Sequence, residues 1–291
     1  MPNPVAIVRV PRERMVGHGI ASSLFHEVGH QVAALLDVLP SLRNELQRRG
    51  RGHAAEDRLA WHAYERWVSE IVADFWSVSR AGLASTLGLM SVVSLPRWFV
   101  FRVNLDDPHP MPWLRVLISA AIGNALYPHQ QWHAIATLWR SMYPSAGLDA
   151  ERQALVKAVL QTLPRFVEML MHHRPAKLRG ATLLNVGRLP DRTPAQLDRL
   201  QADWRGRLEP MRNASPSLVF AVMGQARSRG TLSPEKEAVL LRRMLTYWAL
   251  RSSLDTTAVV VAGQRLPIRT RGAPAPRRPA STLKRKELAY A

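Results

Sequence analysis

Three residues in one short run carry the strongest chemical signal in the sequence: His26, Glu27 and His30, within Phe25-His26-Glu27-Val28-Gly29-His30-Gln31. On a helix, positions four apart share a face, so both histidines can offer a ring nitrogen to a single ion. Glu27, one residue after the first histidine, can reach a water on that ion as a general base without ligating the ion itself. With 10 histidines in the chain, the pattern arises by chance in roughly one or two sequences per hundred. Its setting strengthens it. Leu24, Phe25, Val32, Leu35 and Leu36 flank the run, and unpartnered imidazoles on such an apolar face would be costly. Gly29 costs a helix about 0.5–1 kcal/mol relative to alanine, which points to a close approach at that position. The chain has no cysteine, so it has no disulfide framework, and any metal is held by nitrogen and oxygen.

A catalytic zinc takes three protein ligands and keeps a fourth position for water. A metzincin-type continuation requires glycine at 33 and histidine at 36; Ala33 and Leu36 stand there and exclude it. The second long helix offers Glu70 instead, four residues ahead of Asp74. Two carboxylates at that spacing repel by a few tenths of a kcal/mol, and Trp67 and Ile71 turn this stretch toward the core. Two arrangements relieve the repulsion. In one, Glu70 binds Zn2+ and Asp74 accepts the second ring N–H of His26 or His30. In the other, the pair forms an exposed acidic stripe balanced by Arg66, four residues before Glu70.

His26-Glu27-x-x-His30, Glu70-Ile71-Val72-Ala73-Asp74 and His109-Pro110-x-x-x-x-Arg115 follow one another along the chain. In order and spacing this resembles the gluzincin peptidases related to the CAAX prenyl proteases and the HtpX membrane proteases, over about Ile20 to Val116. The resemblance implies a zincin-like helical metallopeptidase core in which His26, His30 and Glu70 hold Zn2+ and Glu27 is the base. It also implies that His109 and Arg115 lie near the substrate carbonyl and stabilise the tetrahedral intermediate, where charge develops on oxygen. His109 has a plainer alternative as an ordinary residue of a proline-rich loop. The chain departs from the family in lacking convincing membrane helices around the zinc segment. What carries over is peptide-bond hydrolysis of a protein or peptide, not a particular substrate.

The elements that must position these residues read as helices, which makes the fold mainly α with a helical C-terminal extension. Apolar residues recur at helical spacing from Ile20 to Leu39, with Pro40 after the end. Arg43 to Ala54 is polar and reads as mostly loop. A second long helix runs from about Asp57 to Arg80, with Gly82 as its stop. The apolar Ala81 to Pro96 forms a buried helix or hairpin, and Asn104 to Pro112 a loop. Further helices are expected over Trp113 to Leu126, Gln131 to Tyr143, Asp149 to His173 with a break at Pro164, Pro194 to Leu208, Pro216 to Ser228 and Pro234 to Ser252. Thr257 to Ala262 is the best strand signal, and the proline- and arginine-rich Arg265 to Ala291 reads as a disordered basic tail. This divides the chain into a catalytic region, 1–145, a helical accessory region, 146–252, and the tail, 253–291.

At 291 residues with 47% hydrophobic and 21% charged residues, the chain can bury a substantial core. The net charge of +18 suggests an anionic partner. The arginines are spread along the whole chain without an RNA- or DNA-binding motif, so nucleic acid is not the expected partner, while the tail could meet an acidic one. Met1 to Met15 mixes charges into its apolar run and lacks a signal-peptide core, which implies a cytoplasmic protein. Ala81 to Pro96 is shorter than the ~20 residues of a spanning helix, and membrane association through it is left open. His172 and His173 read as a helix C-terminus meeting carbonyls, His129 and His133 as a minor second site, and the nine tryptophans as packing. Two rival readings stand beside the peptidase: a non-enzymatic zinc-binding or structural protein of a larger assembly, and a basic nucleic-acid-binding protein. Glu27 argues against the first, because a structural site has no need of a base.

Overall fold

A chain whose apolar residues repeat at helical spacing buries them by packing helix on helix, and the computed structural model does so throughout. It describes residues 17, 19, 23–51, 55–104 and 107–264, among which there is no strand. In order, α1 is Ser23–Leu35, α2 Val38–Arg51, α3 Ala55–Ala81, α4 Leu83–Val93, α5 Arg97–Val100, α6 Pro112–Leu126 and α7 Gln130–Met142. Then come α8 (Ala150–His172), α9 (Leu183–Gly187), α10 (Pro194–Trp204), α11 (Leu208–Asn213), α12 (Pro216–Ser228) and α13 (Pro234–Gln264). By contact density the chain forms two units, Met1–Tyr247 and Trp248–Ala291. The described part of the second unit, 248–264, is helical. The expected tail, Arg265 to Ala291, lies outside the described residues.

In the first unit α3 is the central element, with α1, α2, α4, α6, α8 and α12 packed on it. Its sequence explains why. Trp61, Tyr64, Val68, Ile71, Phe75 and Val78, spaced alternately three and four apart, form one buried stripe, and Glu70, Asp74 and Ser77 are buried on a second side, so the helix is enclosed over more than a single face. Tyr64 stacks on Phe166 of α8, with ring centroids 3.9 Å apart, and donates its hydroxyl to the Val159 carbonyl at 2.8 Å. Gly82, at φ 56, ends α3. The apolar Ala81 to Pro96 stretch then returns as α4, mostly buried and tied by hydroxyl pairs, Ser85 to Ser77 and Thr86 to Ser119, each at 2.8 Å. No helix among the described residues is long and apolar enough to cross a membrane.

Several expected boundaries are corrected. Arg43 to Arg51, read as loop, belongs to α2; residues 52–54 lie outside the described residues. Pro40 sits in the first turn of α2, where its missing N–H has no intrahelical partner to lose. Asp37 takes φ 54 to turn the chain between α1 and α2. Val38, Leu42 and Leu46, four apart, are buried, and Glu45 pairs with Arg48 and Arg49 on the outer side. Polarity on that outer side hid the apolar stripe. Nor does Pro164 break α8, which is continuous from Ala150 to His172. The proline withdraws the donor to the Leu160 carbonyl, but Leu163, Phe166 and Val167 on either side of it are buried in the core, and that packing keeps the helix in place.

The helix expected from Pro194 to Leu208 divides at Arg205 and Gly206, both at positive φ. Thr257 to Ala262 is helical, not a strand. Thr256 and Thr257 each donate the hydroxyl to the carbonyl four residues back, at 2.8 Å, which lets β-branched residues sit in a helix that extends beyond the expected end at Ser252. The α2 assignment has a direct check. Leu46 is fully buried, so Leu46→Ala should lower the unfolding free energy in urea by about 2–5 kcal/mol. A change within ~0.5 kcal/mol, the range of surface substitutions, would mean that this segment is not part of the core.

Candidate metal centre

The site begins with a contact between backbones. α1 crosses α3 so closely at Gly29 that a Cβ there would lie 2.8 Å from both Cα and O of Ala73, and 3.1 Å from Cβ of Trp76. Only glycine fits, which accounts for its presence in mid-helix. His26 and His30 stand three residues before and one after Gly29; Glu70 and Asp74 stand three before and one after Ala73. The crossing therefore sets the two pairs face to face.

Two imidazole nitrogens and both oxygens of one carboxylate converge there. His26 Nε2 lies 3.2 Å from His30 Nε2 and 3.3 Å from Glu70 Oε2, and His30 Nε2 lies 3.4 Å from Glu70 Oε1. A tetrahedral ion with bonds of ~2.0–2.1 Å has ligand atoms about 3.3–3.4 Å apart, so each of these contacts has the separation of two ligands on one ion, with the Glu70 carboxylate facing one histidine through each oxygen. Among the described residues His26, His30 and Glu70 are a group able to hold a metal ion. Glu70 Oε2 adds a second sign. It is buried without a directed hydrogen bond, although Arg115 stands 3.1 Å away and His26 and His109 each 3.3 Å away. Those nitrogens surround the oxygen without aiming a proton at it. A bound cation would satisfy it.

Charge balance fits the same conclusion. Asp74 Oδ1 accepts from His26 Nδ1 at 2.8 Å, which fixes the tautomer and leaves Nε2 to face the other ligands. Arg115 grips Asp74 from the far side, Nε to Oδ2 at 2.7 Å and an Nη to Oδ1 at 3.0 Å. Burial works against ionising Asp74, but the Arg115 charge and the His26 hydrogen bond hold its carboxyl below the usual range. Glu70 is likewise depressed: burial opposes its charge, and the adjoining His26 and His30 together with Arg115 outweigh burial. Two carboxylates against one guanidinium leave one negative charge. Without an ion, His26 carries the balancing proton: burial favours its neutral form, yet the hydrogen bond to Asp74 and the adjoining Glu70 carboxylate raise its pKa from 6.5 to about 9.

The loop from 101 to 111 brings up the third motif. His109, half exposed, turns Nε2 toward Glu70 Oε2, while its Nδ1 and its backbone N–H both meet Asp107 Oδ1. Asp107 is a positioning residue that sequence reading left as an unremarked loop aspartate; its spacing of two from a histidine is the Asx-type signal that could have marked it. Arg115, at the start of α6, faces Glu70 and Asp74 rather than solvent. Glu27 is exposed on the turn that carries His26. Arg66 lies on the exposed side of α3 and is not the partner of Glu70.

His129, His133, His172 and His173 are not members of this group. His129 caps α7 by accepting from Gln131 N at 3.1 Å, and His133 is exposed. His172 Nδ1 meets the Glu168 carbonyl at 2.9 Å, and His173 Nε2 pairs with Ser41 Oγ at 2.8 Å. Trp61, Trp67, Trp113, Trp132, Trp139 and Trp204 are buried, while Trp98 is exposed. Comparison with protein-family models, with curated proteins and with solved structures gives no match.

The crossing and the charge balance each carry a prediction. Gly29→Ala touches no ligand, but it must push α1 off α3, so metal affinity should drop in a competition titration with a chromophoric chelator, and stability should fall by about 1–3 kcal/mol. Wild-type affinity in this variant would show that the close approach does not set the site. In chelator-treated protein the raised pKa of His26 contributes stability that is complete below pH 6.5 and lost as pH rises through about 9. The metal-free chain should therefore melt at a lower temperature at pH 9.5 than at pH 6. Metal requires the neutral imidazole and should abolish that difference; equal melting temperatures without metal would contradict the balance described.

Proposed function

We propose that this chain is a zinc-dependent metallopeptidase of the gluzincin type, which hydrolyses peptide bonds in a protein or peptide substrate on a zincin-like helical core. The observation that carries the reading is the cluster of His26, His30 and the Glu70 carboxylate, with contacts of 3.2–3.4 Å, backed by Asp74 behind His26 and with the exposed Glu27 beside it. The order of the three motifs, and their resemblance to gluzincin peptidases, supports it independently. Nitrogen and carboxylate ligands on one helix pair suit zinc, which tolerates a low coordination number.

A zinc held by these three side chains supplies Lewis acidity, polarising a carbonyl and bringing the pKa of a bound water toward neutrality. The protein's own residues do the rest. Glu27, one position from His26 and not part of the cluster, accepts a proton from the attacking water and passes it to the leaving amine. His109, held by Asp107 and half exposed, offers a donor to the carbonyl oxygen as charge develops there. Arg115 neutralises Glu70 and Asp74 and so keeps the ligands ionised and oriented. This assigns it to positioning, where the motif resemblance alone implied contact with the substrate.

Purified protein should contain one zinc per chain, and His30→Ala should lose it. Glu27→Gln preserves size and polarity but cannot take the proton, so it should keep its zinc and fold while peptide hydrolysis falls by ~10²- to 10⁴-fold. Asp74→Ala should act through the metal instead, weakening affinity by roughly 10- to 100-fold. Full turnover by zinc-loaded Glu27→Gln would rule out the mechanism.

A further inference from the structure

A cavity of about 590 Å³ opens beside the metal centre and shares His109 with it. The residue nearest Glu70 in the 101–111 loop thus belongs to both sites. The other walls come from α2, α3 and the start of α8, with the buried Trp67, Met111 and Leu155 as its floor. Ala63 and Ala154, two of the smallest side chains available, leave the space open. The volume falls within the usual ~300–1,000 Å³ of small-molecule and side-chain sites.

The charges around it decide what it selects. Arg43 and Arg66 line the cavity, and so do Glu65 and Glu151, so the formal charges cancel. Glu65 is engaged by Gln47 at 2.6 Å and stands 3.8 Å from His62. With no net charge to attract an ion, the apolar half of the lining, with Leu59, Trp67, Val103, Met111 and Leu155, supplies the discrimination.

Building on the peptidase reading, we propose that this cavity is the specificity pocket for the substrate and takes a large apolar side chain, phenylalanine or leucine, from a residue flanking the cleaved bond. His109 joins the two functions. The same loop that presents a donor to the carbonyl forms a wall for the neighbouring side chain, so filling the cavity registers the peptide against the metal centre. Burying a side chain of this size is worth ~1.5–3 kcal/mol, which corresponds to a preference over alanine of about 10- to 150-fold.

The test uses fluorescein-labelled hexapeptides identical except for one central residue, Phe, Leu, Ala, Asp or Lys. Anisotropy reports binding to the full-length zinc-loaded chain, and chromatography of the products reports cleavage. Phe and Leu should bind tightest, Asp and Lys no better than Ala. Ala63→Phe, which fills the cavity, should collapse the Phe-to-Ala ratio toward one, and Ala154→Trp at the opposite wall should do the same should the first variant fail to fold. Binding of Asp or Lys peptides as tight as that of Phe would overturn the pocket, as would an unchanged ratio in a folded filled variant. The two readings fail differently. Ordered binding that is lost on filling, with no cleavage, would retain the pocket and remove the peptidase; equal cleavage of all five peptides would do the reverse.

Discussion

The structure turns on two carboxylates, Glu70 and Asp74, buried one helical turn apart on the central helix, α3. An uncompensated charge in such a place is costly, and removing one partner of a buried pair typically costs about 3–5 kcal/mol. Each element around α3 answers that cost. α6 supplies Arg115, α1 supplies His26 and His30 through a crossing that only glycine permits, and the loop before α6 supplies His109. Ordinary hydrophobic packing would not require four cationic or ionisable groups to converge from three separate elements. Their convergence marks this part of α3 as the centre of a group able to hold a metal ion.

The surrounding bundle holds that arrangement still. α3 cannot rotate to release Glu70 without exposing Tyr64, Phe75 and Val78, which are buried on its other side. Tyr64 locks it to α8 by a ring stack and a hydrogen bond, and Ser77 and Ser119 tie α3 and α6 to α4. The result is a braced set of metal-ligand candidates on helices, with His109, outside any helix, as the neighbour that faces outward. Rigid ligands and a loop-borne donor are a division suited to binding an ion once and substrates repeatedly.

Much of this was legible in the sequence because the relevant signals are local or periodic. The spacing of His26 and His30 gave their common face, the cost of Gly29 gave the close approach, and Trp67 and Ile71 turned Glu70 and Asp74 inward. Failures occurred where tertiary context outweighs local preference. The charged outer side of α2 masked a stripe at Val38, Leu42 and Leu46; Pro164 was tolerated because Leu163, Phe166 and Val167 around it are buried against the rest of the core; Thr256 and Thr257 satisfied their hydroxyls within the helix and so did not demand a strand. The pairing of Arg115 with Glu70 and Asp74 was beyond reach for a related reason. Motif spacing places a residue near a site, but which neighbour its side chain faces depends on the angle at which helices meet.

That angle also bears on whether the centre is structural or catalytic. Structural zinc sites close the coordination sphere with four protein ligands, and catalytic ones keep a position open. Among the described residues the group holds three, His26, His30 and Glu70; His109 reaches the outer oxygen of Glu70 without joining it. His30 is partly exposed and Glu27 more so, while Asp74 and Arg115 are buried behind. The centre is thus dry and fully braced on its α3 side and open on its α1 side. Glu27 lies on that open side because a helix turns about 100° per residue: the position after His26 cannot share the face of His26 and His30, yet it stays on the same turn. A carboxylate there adds nothing to the bracing, and its exposed position is the one the proposed mechanism requires of a proton acceptor.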